Sequence, residues 1–176
     1  GACGDPGAAT RSAGDKIRLV GAGSAIVQNK VIAFSAGNGI GLSTSASAGQ
    51  ILANEIRENG LVTTTLGGIN VGSGSGGTVQ GNLLVANNGA GIEVANGAAA
   101  TTIVNTTVSG NGVGGTRAVT AGLRLLGSCT TAARNIATAR SRGAILVGSR
   151  GTPTPRHDTS NLHEARCRTI TAVPPE

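Results

Sequence analysis

The chain has 176 residues, enough for one domain with a continuous core. Phe34 is its one aromatic residue, there is no Met, Trp or Tyr, and 30 residues are Gly. A core built on aromatic packing is therefore excluded, and Val, Ile, Leu and Ala must be buried in regular stacks. The formal charge of +6 is unevenly placed. Residues 1–116 carry five basic and five acidic side chains, whereas residues 117–176 carry nine Arg against Asp158, Glu164 and Glu176. Such an asymmetry suits contact with a polyanion or a solvated end. Without aromatics there for base stacking, nucleic-acid binding is not expected. No stretch approaches the roughly 18 apolar residues of a membrane span, so no transmembrane segment is expected.

Residues 1–16 read as a lead-in or cap. From residue 17 an aliphatic-x-aliphatic pattern recurs as Ile17/Leu19, Ile40/Leu42, Ile69/Val71 and Ile92/Val94, with fainter copies at Leu123/Leu125 and Ile145/Val147. A second column aligns Asn29, Asn54, Asn82 and Thr106, in steps of 25, 28 and 24. Three positions before it stand Ile26, Ile51, Val79 and Ile103, and two after it stand Val31, Ile56, Leu84 and Val108. Five positions after it stand Phe34, Asn59, Asn87 and Asn111.

Short period-2 runs bounded by Gly, Asn and Ser read as strands. A unit of this size, repeated, reads as one coil of a parallel β-solenoid. Asn59, Asn87 and Asn111 are assigned to a stacked amide ladder, with the first Asn column as a candidate second ladder. Gly39, Gly68 and Gly91 precede a strand where a turn needs positive φ or close approach.

Two stretched spacings mark inserted loops, the usual binding positions of a solenoid. The first, residues 60–67, holds Thr63, Thr64 and Thr65; the second, residues 113–122, holds Arg117. The Gly/Ser run at residues 72–77 lacks the Lys and the following helix of a phosphate loop. After about residue 148 the pattern stops at Thr152-Pro153-Thr154-Pro155, and residues 148–176 read as an irregular basic tail or cap. Cys129 and Cys167 can pair in an oxidising compartment, leaving Cys3 over. No metal-ligand spacing is present.

The outward charges of the repeats are few. Glu55, Arg57, Glu58 and Glu93 are the candidate catalytic residues, since acid–base cleavage of a glycosidic bond needs two carboxyl groups. Glu55 is expected to pair with Lys30 one coil away. Glu93 should stand outward with Asn70 below and Arg124 above, and both neighbours are binding candidates.

These columns resemble the right-handed parallel β-helix repeats of the pectin-lyase-like superfamily over residues 17–147. The resemblance implies an all-β, right-handed parallel β-helix of about six short coils with an irregular C-terminal tail. The superfamily spans polysaccharide lyases, polygalacturonase-type hydrolases, epimerases, tailspikes, adhesins and other surface proteins, so fold alone does not assign activity. Its enzymes place acidic and basic residues on the outer face of one sheet, and its lyases add Ca²⁺-binding carboxylates.

The Asp pairs and Gly-His-Gly of the hydrolases are absent here. The expected function is therefore a non-catalytic, extracellular or cell-surface bacterial module that binds acidic polysaccharide or cell-surface glycan, without cofactor. A polysaccharide lyase or hydrolase, or a fragment of one, is the alternative, with Ca²⁺ only if a lyase. A third reading, an ice-binding solenoid, rests on Thr101-Thr102, Thr106-Thr107 and Thr130-Thr131.

Overall fold

The computed structural model describes residues 14–21, 25–43, 46, 48–62, 65–112, 122–126, 130–139, 145–147 and 169–171. The first coil holds β1 (Ile17–Val20), β2 (Ala25–Gln28) and β3 (Val31–Ala33). The second holds β4 (Ile40–Ser43), β5 (Gly49–Leu52) and β6 (Glu55–Arg57). The third holds β7 (Ile69–Val71), β8 (Gly77–Gln80) and β9 (Leu83–Val85). The fourth holds β10 (Ile92–Val94), β11 (Thr101–Val104) and β12 (Thr107–Asn111). Then follow β13 (Leu123–Leu125), β14 (Thr130–Ala133), β15 (Ile136–Ala139), β16 (Ile145–Val147) and β17 (Thr169–Thr171).

Each strand pairs in parallel with its counterpart one coil away, giving three sheets. Sheet A runs β1-β4-β7-β10-β13-β16, sheet B runs β2-β5-β8-β11-β14-β17, and sheet C runs β3-β6-β9-β12-β15. Sheet C has one strand fewer than the others among the described residues, so the solenoid is slightly shorter than the six coils the sequence suggests.

Inward residues stack like on like. Ile40, Ile69, Ile92 and Leu123 form one column of sheet A, and Leu42, Val71, Val94 and Leu125 another. Sheet B contributes Val27, Ile51, Val79 and Ile103, and sheet C contributes Ile32, Ile56, Leu84 and Val108. All are buried, and each large aliphatic side chain so placed contributes about 1.5–3 kcal/mol. Strand spacing of about 4.8 Å lets β-branched side chains fill the narrow interior without aromatics.

The first coil departs from the sequence alignment by one residue. Val27, not Ile26, stands over Ile51, and Ile32, not Val31, stands over Ile56. Ile26 and Val31 are consequently exposed, at 61% and 64%. A slip of one residue sends every side chain of a strand to the opposite face. The same shift removes Asn29 and Phe34 from the ladder columns. Their places are taken by Lys30 and Ser35, whose backbone N–H groups donate to Asn54 Oδ1 and Asn59 Oδ1 at 3.0 Å each.

Two ladders edge sheet C. At the bend from sheet B, Asn54 N–H donates to Asn82 Oδ1 (2.9 Å), Asn82 N–H to Thr106 Oγ1 (3.4 Å) and Thr106 N–H to Asn135 Oδ1 (3.0 Å). At the far bend, Asn59 N–H donates to Asn87 Oδ1 and Asn87 N–H to Asn111 Oδ1, both at 3.0 Å. Each amide nitrogen donates to a carbonyl of the preceding coil, as Asn59 to Ile32, Asn87 to Ile56 and Asn111 to Leu84. Buried bends in a narrow solenoid expose backbone groups to no water, and the amides satisfy them.

The glycines before sheet A are there for closeness. A Cβ on Gly68 would collide with the Gly91 carbonyl and lie 2.7 Å from Leu84 Cδ2. One on Gly91 would collide with Val108 and lie 2.7 Å from the Gly122 carbonyl.

Candidate functional site

β7, β10 and β13 bury their first and third residues, so the second of each faces out. The register aligns Arg18, Gly41, Asn70, Glu93 and Arg124 as one outward row. Asn70, Glu93 and Arg124 thus occupy the neighbouring positions expected from the sequence.

Arg124 Nη1 lies 2.7 Å from Glu93 Oε2, and the two side chains are only 19% and 17% exposed. A charge-assisted bond this short, largely screened from water, fixes both groups. Among the described residues the buried Arg124 Nε has no hydrogen-bond partner. At the other end of the row, Arg18 Nε donates to Ser43 Oγ at 2.9 Å.

Between them Gly41 has no side chain, and the Asp15 carboxylate fills that space. Asp15 Oδ1 accepts from Asn38 N–H at 2.9 Å and from Asn38 Nδ2 at 3.0 Å. From Arg18 to Arg124 the row is therefore polar and of mixed sign, and the backbone register continues it to Leu146. Arg18 was missed as a candidate, although it occupies the same middle position of Ile17-x-Leu19 that singled out Glu93.

Glu55, Arg57 and Glu58 form a separate cluster on sheet C and its adjoining bend. Arg57 Nε lies 3.0 Å from Glu55 Oε1, and Arg57 Nη1 lies 2.8 Å from Glu58 Oε1. The guanidinium also lies over the Phe34 ring, 5.4 Å from its centroid. The expected Lys30–Glu55 pair is replaced by this arrangement, because the corrected register sets Val31, not Lys30, beside Glu55. One cation thus holds two carboxylates on a half-exposed surface.

The four catalytic candidates are not brought together. Glu93 stands on the outer face of sheet A, while Glu55 and Arg57 stand on that of sheet C. Thr65 is exposed at the end of its loop. Thr63, Thr64, Arg117, Cys129, Cys167 and the tail before β17 lie outside the described residues.

The Thr pairs divide between inside and outside. Thr101 and Thr130 are buried, and Thr106 is a ladder member. Thr78, Thr102, Thr131 and Thr169 share one column of sheet B, which continues into Gln50 and Ile26. The column beside it reads Gln28, Leu52, Gln80, Val104, Ala133 and Thr171. A single file of Thr flanked by mixed residues is not the flat array that ice binding requires.

Among the described residues no three His, Cys, Asp or Glu side chains are grouped to hold a metal ion. Among the described residues no helix is long and apolar enough to cross a membrane. The family model described as right handed beta helix region matches residues 9–160. The chain belongs to this family. Comparison of this β-helix chain with curated proteins and with solved structures gives no match. Family membership fixes the scaffold and leaves the chemistry to the outward side chains just described.

Proposed function

We propose that this β-helix chain is a non-catalytic module of an extracellular or cell-surface protein, binding acidic polysaccharide or cell-surface glycan on the outer face of sheet A. The observation that carries the reading is the in-register row Asn70–Glu93–Arg124, with Glu93 and Arg124 locked together at 2.7 Å. Planar amide, carboxylate and guanidinium groups one strand apart offer donors and acceptors to successive hydroxyls of an extended polymer. Arg18 and Arg124, four strand steps or about 19 Å apart, suit carboxylates along it.

The same geometry speaks against cleavage. Glu55, Glu58 and Glu93 are each committed to an arginine. Glycoside hydrolysis needs two carboxyl groups facing one bond across roughly 5–10 Å, and Glu93 stands on a different sheet from Glu55. A polyuronate is the ligand class that the pectin-lyase-like resemblance supports.

The test is titration of the full chain with polygalacturonate and alginate, with and without Ca²⁺, alongside assays for reducing ends and unsaturated products. Salt-sensitive binding without product is expected. Arg124→Gln, with folding checked by circular dichroism, should weaken affinity about tenfold, equivalent to about 1.4 kcal/mol. Product formation, or binding indifferent to Arg124 and Arg18, would refute the proposal.

A further inference from the structure

The sequence holds five Asn-Gly pairs, at Asn38-Gly39, Asn59-Gly60, Asn88-Gly89, Asn96-Gly97 and Asn111-Gly112. In such a pair the glycine nitrogen meets no side chain on its way to the asparagine amide, so ring closure is intrinsically easy. The solenoid treats the five very differently.

Four are held on both sides. The Asn38 amide bonds Asp15 and the Gly67 N–H, and the Gly39 N–H donates to the Gly67 carbonyl. Asn59 and Asn111 are ladder members, and the Gly60 and Gly112 N–H groups donate to the Gly37 and Asn87 carbonyls at 2.8 and 2.9 Å. Asn88 Nδ2 donates to the Gly60 carbonyl, and the Gly89 N–H to the Leu66 carbonyl.

Asn96 is the exception. Both Asn96 and Gly97 are exposed, between β10 and β11, in a β-turn closed by Ala98 N–H to the Ala95 carbonyl at 3.1 Å. Gly97 has φ 76. Among the described residues neither the Asn96 amide nor the Gly97 N–H has a partner, and the dipeptide is restrained by that turn bond and by Gly74 N–H on the Gly97 carbonyl.

We infer that Asn96 is a site of spontaneous deamidation, and that the fold protects the other four pairs. The Gly97 nitrogen attacks Asn96 Cγ. The new C–N bond forms as the Cγ–Nδ2 bond breaks, and ammonia leaves with the proton that the nitrogen gives up. The cyclic succinimide then takes up one water at either carbonyl, leaving aspartate or its β-linked isomer. No oxidant or enzyme is required. The product carries a new negative charge at the turn that follows Glu93 on sheet A.

The experiment incubates the folded full chain at mildly alkaline pH, below its unfolding temperature, and a second sample in denaturant. Fragment-ion mapping then locates each amide-to-acid mass gain, and isoaspartate is assayed separately. In the folded chain Asn96 should convert more than about tenfold faster than any other pair, because the rest must first open locally. In denaturant all five should convert. Asn96→Gln should abolish the fast conversion. Comparable conversion at another pair in the folded chain, or an unchanged Asn96 there while the denatured sample reacts, would overturn the assignment.

Discussion

Two columns of single residues turn the chain in the left-handed region. Asn29, Ala53, Asn105 and Arg134 stand one residue before the first ladder, with φ between 49 and 54. Phe34, Glu58 and Ala86 stand one residue before the second, with φ between 54 and 57. In both columns some coils carry Gly instead, as at Gly81 and Gly110. A side chain in this region costs about 1–2 kcal/mol, whereas Gly gives up part of that gain to the unfolded state. Ala86 is exposed and loses no packing on truncation. Ala86→Gly should therefore stabilise the chain by about 0.5 kcal/mol, read from urea unfolding, opposite to the usual effect of Gly in a strand protein. This scale also explains what the sequence could not settle. In the first coil the doublets Ile26-Val27 and Val31-Ile32 are aliphatic at both positions, so either residue fits the inward column. Asn29 imitates a ladder residue because Asn also tolerates the left-handed bend. Only the hydrogen bonds of Lys30 and Ser35 decide the register.

The ladders show why the later coils were easier to read. Amide stacking demands Asn once per coil, so Asn59, Asn87 and Asn111 announce themselves by spacing, and Asn54 and Asn82 likewise. Thr106 interrupts the first ladder. Its hydroxyl accepts from Asn82 N–H at a long 3.4 Å and donates to the carbonyl of Val104, at the end of β11 in its own coil. The carbonyls of Val27, Ile51 and Ile103 each receive a ladder amide, from Asn54, Asn82 and Asn135. Val79 is the corresponding residue that Thr106 leaves unserved. Thr106→Asn should complete the stack and stabilise by about 1 kcal/mol. Asn87→Ala should do the reverse, by about 3 kcal/mol or more. It would strand the Asn59 N–H and the Ile56 carbonyl, each costing about 1–3 kcal/mol when buried unpaired. Thermal or denaturant unfolding of the two variants separates the signs. The row on sheet A was legible for the same reason as the ladders, since the period places Asn70, Glu93 and Arg124 side by side. The Arg57 cluster was not, because Glu58 sits at a bend whose direction no periodicity reports.

Across the whole molecule, charge and scaffold are segregated. The first 116 residues sum to zero, and the basic excess lies beyond them. A polyanion would thus meet a sheet A row of mixed sign on a chain whose net charge gives a positive field. Such a field is screened over about 8–10 Å at physiological salt, whereas the largely buried Glu93–Arg124 pair is not. Raising salt from about 50 to about 500 mM, which shortens the Debye length from roughly 14 to roughly 4 Å, should therefore lower polyuronate affinity while thermal stability stays nearly constant. A parallel fall in stability would mean that surface charge, not stacking, holds the coils together.

The ladders also have a direction. Every ladder asparagine oxygen takes an N–H from the coil before its own, and its amide hydrogen returns to a carbonyl of that earlier coil. A coil's bends are thus finished by residues that a ribosome delivers about 24–31 positions later. Synthesis and structure advance the same way: each new coil seals the last, and the growing front carries bends still waiting for their amides.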